Sequence, residues 1–259
     1  MMVAVLIRGM TFNLKFPSED SPHAWSARRP LVAEVLRRTE PHVIGTQEGH
    51  FFQLRQIAAD APVPYEWIGL GRAGGSHDEF NAILYDPRVM EPLEFDHFWL
   101  SRTPAVIGSR AMTWRNRSIR MATWVRFAVD GGELLWLNTH LDNAFEEARI
   151  GGAKLIASRL AEFPADLPVV VSGDFNCAAG HSPAYDILTT DTGLADAWRL
   201  VDGPKIGSYG GWGHPGPGER IDWLLIRGLD AESAAICDYH EGEEWPSDHV
   251  PVYADLRQR

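Results

Sequence analysis

The sequence predicts an α/β fold: two packed sheets with helices outside, built as one domain spanning residues 1–259. Strand-like and helix-like segments alternate over the first part of the chain and strands dominate the later part, a count that suits stacked layers. With 259 residues, 45% of them hydrophobic, the chain can bury a sizeable core. No linker-like, low-complexity or repeated tract divides it.

Taken in order, Val3–Ile7 reads as a first strand that continues irregularly to Phe12 and Asn13. A polar loop over Phe16–His23 carries Pro17 and Pro22. Ser26 is positioned to cap a helix with Pro30 in its early part, an apolar stripe of Leu31, Val32, Val35 and Leu36, and Pro41 at its end. His42–Glu48 is a second strand ending on an acid, followed by a short helix over Phe51–Ala59. Strands are expected near Tyr65–Gly69 and Phe80–Tyr85. The glycine-rich Gly71–Gly75 between them lacks the lysine and hydroxyl of a phosphate loop and reads as a turn. Glu133–Leu141 is a strand. Phe145, Ala148, Gly152, Leu155, Ile156, Leu160 and Phe163 then mark an amphipathic helix. That helix leads to Val169–Val171, a β-branched run that stops on Gly173, Asp174 and Asn176. After the Gly/Pro-rich loop Gly203–Gly218, closing strands are expected at Ile221–Ile226, Ala234–Cys237 and Val250–Ala254.

Composition narrows the function. The net charge is −11, whereas a protein that grips duplex nucleic acid is usually basic. The charge is unevenly spread. Between His97 and Val129 there is no acid, and Arg102, Arg110, Arg115, Arg117, Arg120 and Arg126 alternate with Trp99, Trp114 and Trp124. Such a stretch can hold a phosphorylated ligand or simply form a solvated face. Two cysteines, Cys177 and Cys237, suggest neither a disulfide framework nor a zinc site. The N-terminus lacks the features of a signal peptide, and no apolar run approaches a membrane span, so a cytoplasmic protein is expected.

The chemistry gathers at strand ends. Alternation places positions 174 and 176 on one side of an extended chain, where an acid and an amide can serve a hard metal ion or an activated water. A local turn would explain the same residues. Asn13, Glu48, His140 with Asp142, and Ser247–Asp248–His249 repeat the pattern. Sites form where the carboxyl ends of strands meet in α/β sheets.

The strings Phe12–Asn13, Gly45–Thr46–Gln47–Glu48, Asn138–Thr139–His140–Leu141–Asp142, Gly173–Asp174–Phe175–Asn176, Arg220–Ile221–Asp222–Trp223 and Ser247–Asp248–His249–Val250–Pro251 occur in an order that resembles the endonuclease/exonuclease/phosphatase superfamily over nearly the whole chain. Trp25–Arg29 and Phe98–Pro104 further resemble a bacterial subgroup related to its deadenylase-like branch. The chain departs from that subgroup at Arg102, where an acid is usual, and at Tyr209–Trp212, where a Thr-Phe-His string is usual.

The resemblance implies a four-layer α/β sandwich of two mostly antiparallel sheets flanked by helices. It also implies a divalent-metal-dependent phosphoesterase. Glu48 would be the principal metal ligand, with Asn13 and Asp248 close by. Asp174 would orient or deprotonate the attacking water, or bind a second metal, and Asn176 would hold that water or a phosphate oxygen. His249, backed by Asp222, and His140, paired with Glu79, would contact the phosphate. Arg120 is the member of the arginine cluster chosen for substrate phosphate. Oxygen ligation by Glu, Asp and Asn favours Mg2+ or Mn2+ over zinc. A carboxylate behind each imidazole would raise its pKa.

The expected partner is a phosphorylated small molecule or single-stranded nucleic acid: nucleotide-like, sugar phosphate, or a strand end stacked on Trp or Tyr. The Trp-Cys-Asp-Arg string usual in inositol-lipid phosphatases is missing around Gly218–Asp222. The 203–218 loop is either a lid over the site or a plain connection. A catalytically silent phospho-ligand-binding module on the same fold is the alternative, since fold does not secure function.

Overall fold

The computed structural model describes residues 6–19, 22–203 and 205–259. Positions 3–5 of the expected first strand, two positions of the 16–23 loop and Pro204 lie outside them. The first sheet contains β1 (Leu6–Asn13), β2 (Val43–Gln47), β3 (Glu66–Ile68), β4 (Ile83–Tyr85), β11 (Leu229–Ile236) and β12 (Val252–Gln258), in the order β11-β12-β1-β2-β4-β3. The second contains β5 (Met90–Trp99), β6 (Met121–Val129), β7 (Gly132–His140), β8 (Val169–Asp174), β9 (Ala195–Asp196) and β10 (Asp222–Arg227), in the order β5-β6-β7-β8-β10-β9. In each sheet one central pair is parallel, β1–β2 and β7–β8. The other pairs are antiparallel. A parallel pair needs a crossover, and a fifteen-residue helix supplies each one: α1 (Trp25–Thr39) and α3 (Glu146–Leu160).

Three buried clusters give the four layers. Met10, Ile44 and Leu84 of the first sheet pack on Val32, Val35 and Leu36 of α1 and on Leu54 and Ile57 of α2 (Phe51–Asp60). Ile7, Val43 and Ile83 meet Phe127, Trp136, Val170 and Ile226 between the sheets. Val169 and Val171 face α3 and α4 (Pro183–Thr190), packing with Ile156, Leu160 and Leu188. Alternation along 169–171 thus sends apolar groups to both faces, which is why the run reads as continuous.

The sheets approach closely where glycine stands. A Cβ at Gly9 would lie 2.3 Å from the Trp136 ring, and one at Gly45 would lie 2.2 Å from Ser172 Oγ. A buried polar network crosses the same gap. Gln47 Nε2 donates to Asn138 Oδ1 (2.7 Å), and Asn138 Nδ2 donates to the Thr46 and Ala82 carbonyls (2.8 and 3.0 Å). Ser172 Oγ donates to Asn138 Oδ1 (3.2 Å). These bonds fix the relative placement of the two sheets immediately below their polar ends.

Some boundaries differ from the sequence reading. Ser26 does not cap α1; Ala24 stands at the N-cap without a side-chain bond. β5 was invisible to periodicity because it is an edge strand whose Glu91, Glu94, Phe95 and Asp96 are all exposed, with an irregularity between Pro92 and Glu94.

Candidate active site

The carboxyl ends of both parallel pairs open at one edge. Register sets Asn13 beside Gln47, His140 beside Asp174, and Asp222 beside Asp174. Glu48 leaves β2 in a left-handed conformation (φ 61°). A cavity of about 300 Å³ lies between these ends, lined by Glu48, Arg120, His140, Asp174, Asn176, Asp248 and His249 together with Lys15, Asn143, Tyr209 and Ile221. Larger clefts of about 490 and 710 Å³ open elsewhere, and neither is lined by Glu48, His140, Asp174, Asp248 or His249.

Asp174 is the centre of the floor. Its Oδ2 accepts from Asn13 Nδ2 (3.0 Å) and lies 3.4 Å from His140 Nε2 and 3.8 Å from His249 Nε2. Its Oδ1 accepts the Asn176 backbone N–H (2.9 Å). His249 Nδ1 lies 2.9 Å from Asp222 Oδ2. Asn13 Nδ2 also donates to Glu48 Oε1 (3.1 Å), so one amide joins the two acids. Asn176 reaches the cavity through a left-handed turn (φ 51°), since the strand ends at Asp174. Continued alternation from 174 to 176, expected from the sequence, is therefore not what aims it. Its side-chain amide donates to the Leu141 carbonyl (3.1 Å).

Burial decides the protonation chemistry. Burial pushes the Asp174 carboxyl up, to about 7; His249 pulls it down and Asp222 pushes it further up. Burial also opposes charge on His249, but Asp222 and Asp174 outweigh it and raise the imidazole to about 10. His140 moves the other way. Burial comes first, and Arg120 and His249 add to it, holding the ring well below its ordinary value.

That result corrects the expectation for His140. Glu79 does not stand behind it: the Glu79 carboxylate accepts from Arg72 Nη1 (2.8 Å), and among the described residues no hydrogen bond or ion pair joins it to His140. Arg72, at the turn before Glu79, also reaches Asp78 (3.0 Å), so a local ion pair captures the acid. Arg120 is where the sequence put it, lining the cavity and only 6% exposed, with its Nε lacking a partner among the described residues.

Several residues at the site were missed. Lys15 Nζ lies 3.1 Å from Asp248 Oδ2 and 3.9 Å from Glu48 Oε2. Its position two residues after Asn13 was the available signal, the same spacing that singled out 174 and 176. Fully buried Arg28 donates to the carbonyls of Leu14, Lys15, Phe16, His23 and Pro246, tying the loop after β1 to the one before Asp248. Ser208 Oγ accepts from the Ile221 and Asp222 N–H groups (2.9 and 3.0 Å). The Tyr209 ring meets His249 edge to face at 4.9 Å. The Gly210 and Gly211 N–H groups bond to the Asp248 carbonyl, both at 3.0 Å, so the 203–218 loop is laced to the site.

The donor set fits a divalent cation. One ligand atom each from Glu48, His140 and Asp174 lies within 4.8 Å of the others. The Glu48 and Asp248 carboxylates already draw the Lys15 ammonium, and Asp222 Oδ1 is buried without a partner among the described residues. Carboxylates supply two of the three donors in the Glu48–His140–Asp174 set and an imidazole the third.

Comparison with known proteins agrees with this geometry. A family model described as the endonuclease/exonuclease/phosphatase family matches residues 10–249. An endonuclease/exonuclease/phosphatase from Bacteroides vulgatus is 29% identical, with a TM-score of 0.89 over 98% of this chain and 100% of that one. A mannosyl-6-phosphatase of Bacteroides thetaiotaomicron is 26% identical, with a TM-score of 0.86 over 96% and 99%. The human Nocturnin catalytic domain with bound sulfate shares the fold at 18% identity, with a TM-score of 0.74 over 100% and 97%. No curated protein sequence shows significant similarity to the chain.

Proposed function

Because the chain belongs to the endonuclease/exonuclease/phosphatase family, whose members are metal-dependent phosphoesterases, we propose that it hydrolyses the phosphomonoester of a small sugar-like molecule. The observation that carries the reading is the buried Asp174 carboxylate, held between Asn13 and two imidazoles in a cavity of about 300 Å³. That volume is at the small end for ligand sites. The net charge of −11 disfavours a long nucleic-acid strand, and one structural relative is a sugar phosphatase by name.

In this reading the phosphate oxygens face Arg120, His140 and His249. Asp222 keeps His249 charged, so its Nε2–H offsets charge developing on the phosphate. His140 is neutral and offers a hydrogen bond without adding charge. Asp174, with its raised proton affinity, takes the proton of the attacking water, and Asn13 and Asn176 hold its two oxygens in place. Glu48, Asn13 and Asp248 would hold the cation. When bound, Mg2+ or Mn2+ supplies Lewis-acid stabilisation of the phosphate oxygens. Free Cys177 and Cys237 suit a cytoplasmic setting, and no helix among the described residues is long and apolar enough to cross a membrane.

The test is a metal-supplemented panel of sugar phosphates, phosphodiesters and short single-stranded RNA and DNA. Mannose 6-phosphate and related monoesters should turn over fastest. EDTA should abolish the activity, and His249→Ala should lower it roughly a hundredfold. Cleavage of the oligonucleotides alone would reverse the substrate assignment. Tight ligand binding with no hydrolysis in the presence of metal would make the chain a binding module.

A further inference from the structure

The arginine-rich stretch divides into paired and unpaired members. Arg126 is served by Glu94 (3.1 Å) and Glu133 (2.8 Å), away from the cavity. Arg120 lines the cavity. Arg115 and Arg117 precede it on the same loop, with guanidinium carbons 4.4 and 5.2 Å from the centroid of the Phe145 ring. Phe145 sits two residues beyond Asn143, itself a lining residue, in a turn where the Ala144 and Phe145 N–H groups both bond to Asp142 Oδ1 (2.9 Å). Arg110 Nη1 donates to the Arg117 carbonyl (2.8 Å) and brings a third guanidinium to the same rim.

Among the described residues no ion pair serves Arg110 or Arg117, and Arg115 has only a 3.7 Å contact between two exposed groups, to Glu147. Such a contact contributes little. The chain has 35 acidic and 24 basic side chains, so acids to pair with are plentiful. Guanidiniums held over an aromatic ring two residues from a residue that lines the cavity, with one exposed ion pair among them, are set up for an anion from outside.

We propose that the Arg115–Phe145–Arg117 rim binds a second phosphate on the substrate, so that the enzyme acts preferentially on sugar-like molecules carrying a phosphate beyond the scissile one. This inference rests on the function proposed above and extends it to a substrate class. The scissile phosphate lies at Arg120 and the histidines; the second lies outward along the same loop. The ring is covered by guanidiniums, which favours a phosphate over a stacked base at this position.

The experiment compares kcat/KM for fructose 1,6-bisphosphate and fructose 6-phosphate, with the dinucleotide pApA as a third arm to detect a nucleic-acid source of the second phosphate. The native protein should prefer the bisphosphate by tenfold or more over the monophosphate and should prefer it over pApA. The double substitution Arg115→Ala/Arg117→Ala should bring the bisphosphate-to-monophosphate ratio near one, and Arg115→Glu/Arg117→Glu should invert it. Arg126→Ala, in the same stretch but paired elsewhere, should keep the native ratio. A ratio near one in the native protein, or one unmoved by the double substitutions, overturns the proposal. A preference for pApA reassigns the second phosphate to a nucleic-acid strand and overturns the sugar class. If the native protein hydrolyses neither the fructose phosphates nor mannose 6-phosphate, the function proposed above fails. Calorimetric titration of both fructose phosphates into Asp174→Asn protein then decides the rim separately: tighter binding of the bisphosphate, lost in the double substitution, supports it, and equal binding rejects it.

Discussion

Glu48 and Asp174 lie at matching strand ends in the two sheets, share the same Asn13 amide, and live in different surroundings. Glu48 is half-buried, accepts the Phe16 backbone N–H (3.1 Å) and lies near the Lys15 ammonium. Asp174 is 1% exposed and has imidazoles for neighbours, and its proton affinity rises. Depth gives two carboxylates of one cavity different neighbours, the Lys15 ammonium for the shallow one and imidazoles for the deep one, which suits the division proposed above between cation binding and proton transfer. The sheets thus bring unlike halves, and the His249–Asp222 pair, one residue from each side, closes the seam.

The largest effect that would break this comparison comes from exchanging acid for amide in each half. Asp174→Asn keeps shape and removes the proposed base, so turnover should fall about a hundredfold or more, while Mn2+ affinity measured by calorimetry moves little. Glu48→Gln should do the reverse. The metal concentration for half-maximal rate should rise roughly tenfold or more, with much of the turnover regained at saturation. Equal loss of metal affinity in both variants would mean that the two acids act as one ligand set and that depth sorts nothing.

A second, smaller effect tests the joint between the halves. At Gly45 an added Cβ would come 2.2 Å from Ser172 Oγ and 2.5 Å from Asn138 Oδ1. Both atoms are held in the buried network with Gln47 and Trp136, so they cannot swing away cheaply. Gly45→Ala should cost about 1–3 kcal/mol in urea unfolding. If catalysis depends on the sheets' relative placement, kcat should fall as well, even under conditions where the protein is fully folded. A variant as stable as the native protein would show that the sheets tolerate separation here.

Strand ends were legible in the sequence because each joins an apolar run to a single acid, amide or imidazole, and the register of parallel strands aligns such ends at one edge. Asn13, Glu48, His140, Asp174, Asp248 and His249 come together on that logic, whereas Asp222 was legible only through the resemblance carried by the Arg220–Trp223 string. Pairings across turns were not legible. Whether Glu79 meets His140 or Arg72 depends on the path of the 71–79 turn, where Arg72 N–H bonds to the Glu79 carbonyl (2.8 Å) and brings the two side chains together. Arg28 was legible only as part of the Trp25–Arg29 string, and its role was not, because all of its bonds go to backbone carbonyls, which carry no sequence signature. Helix α4 has no counterpart in the sequence reading, although Ser182 caps it with Pro183 at its start.

The smallest effect concerns the first sheet away from its polar end. His42 Nδ1 accepts the Arg8 backbone N–H (3.0 Å), which requires that nitrogen to be unprotonated, and burial lowers the ring's pKa. The unfolded chain therefore takes up this proton near the ordinary imidazole value of about 6.5, while the folded chain resists it. The contribution to stability is full above that pH and is lost as pH falls through it toward the folded value. The urea midpoint should decline between about pH 7 and 5.5, and His42→Asn, whose carbonyl oxygen can accept the same N–H without titrating, should flatten that slope. An unchanged slope would assign the acid sensitivity to other groups, with the buried site at the opposite end of the sheet the first place to look.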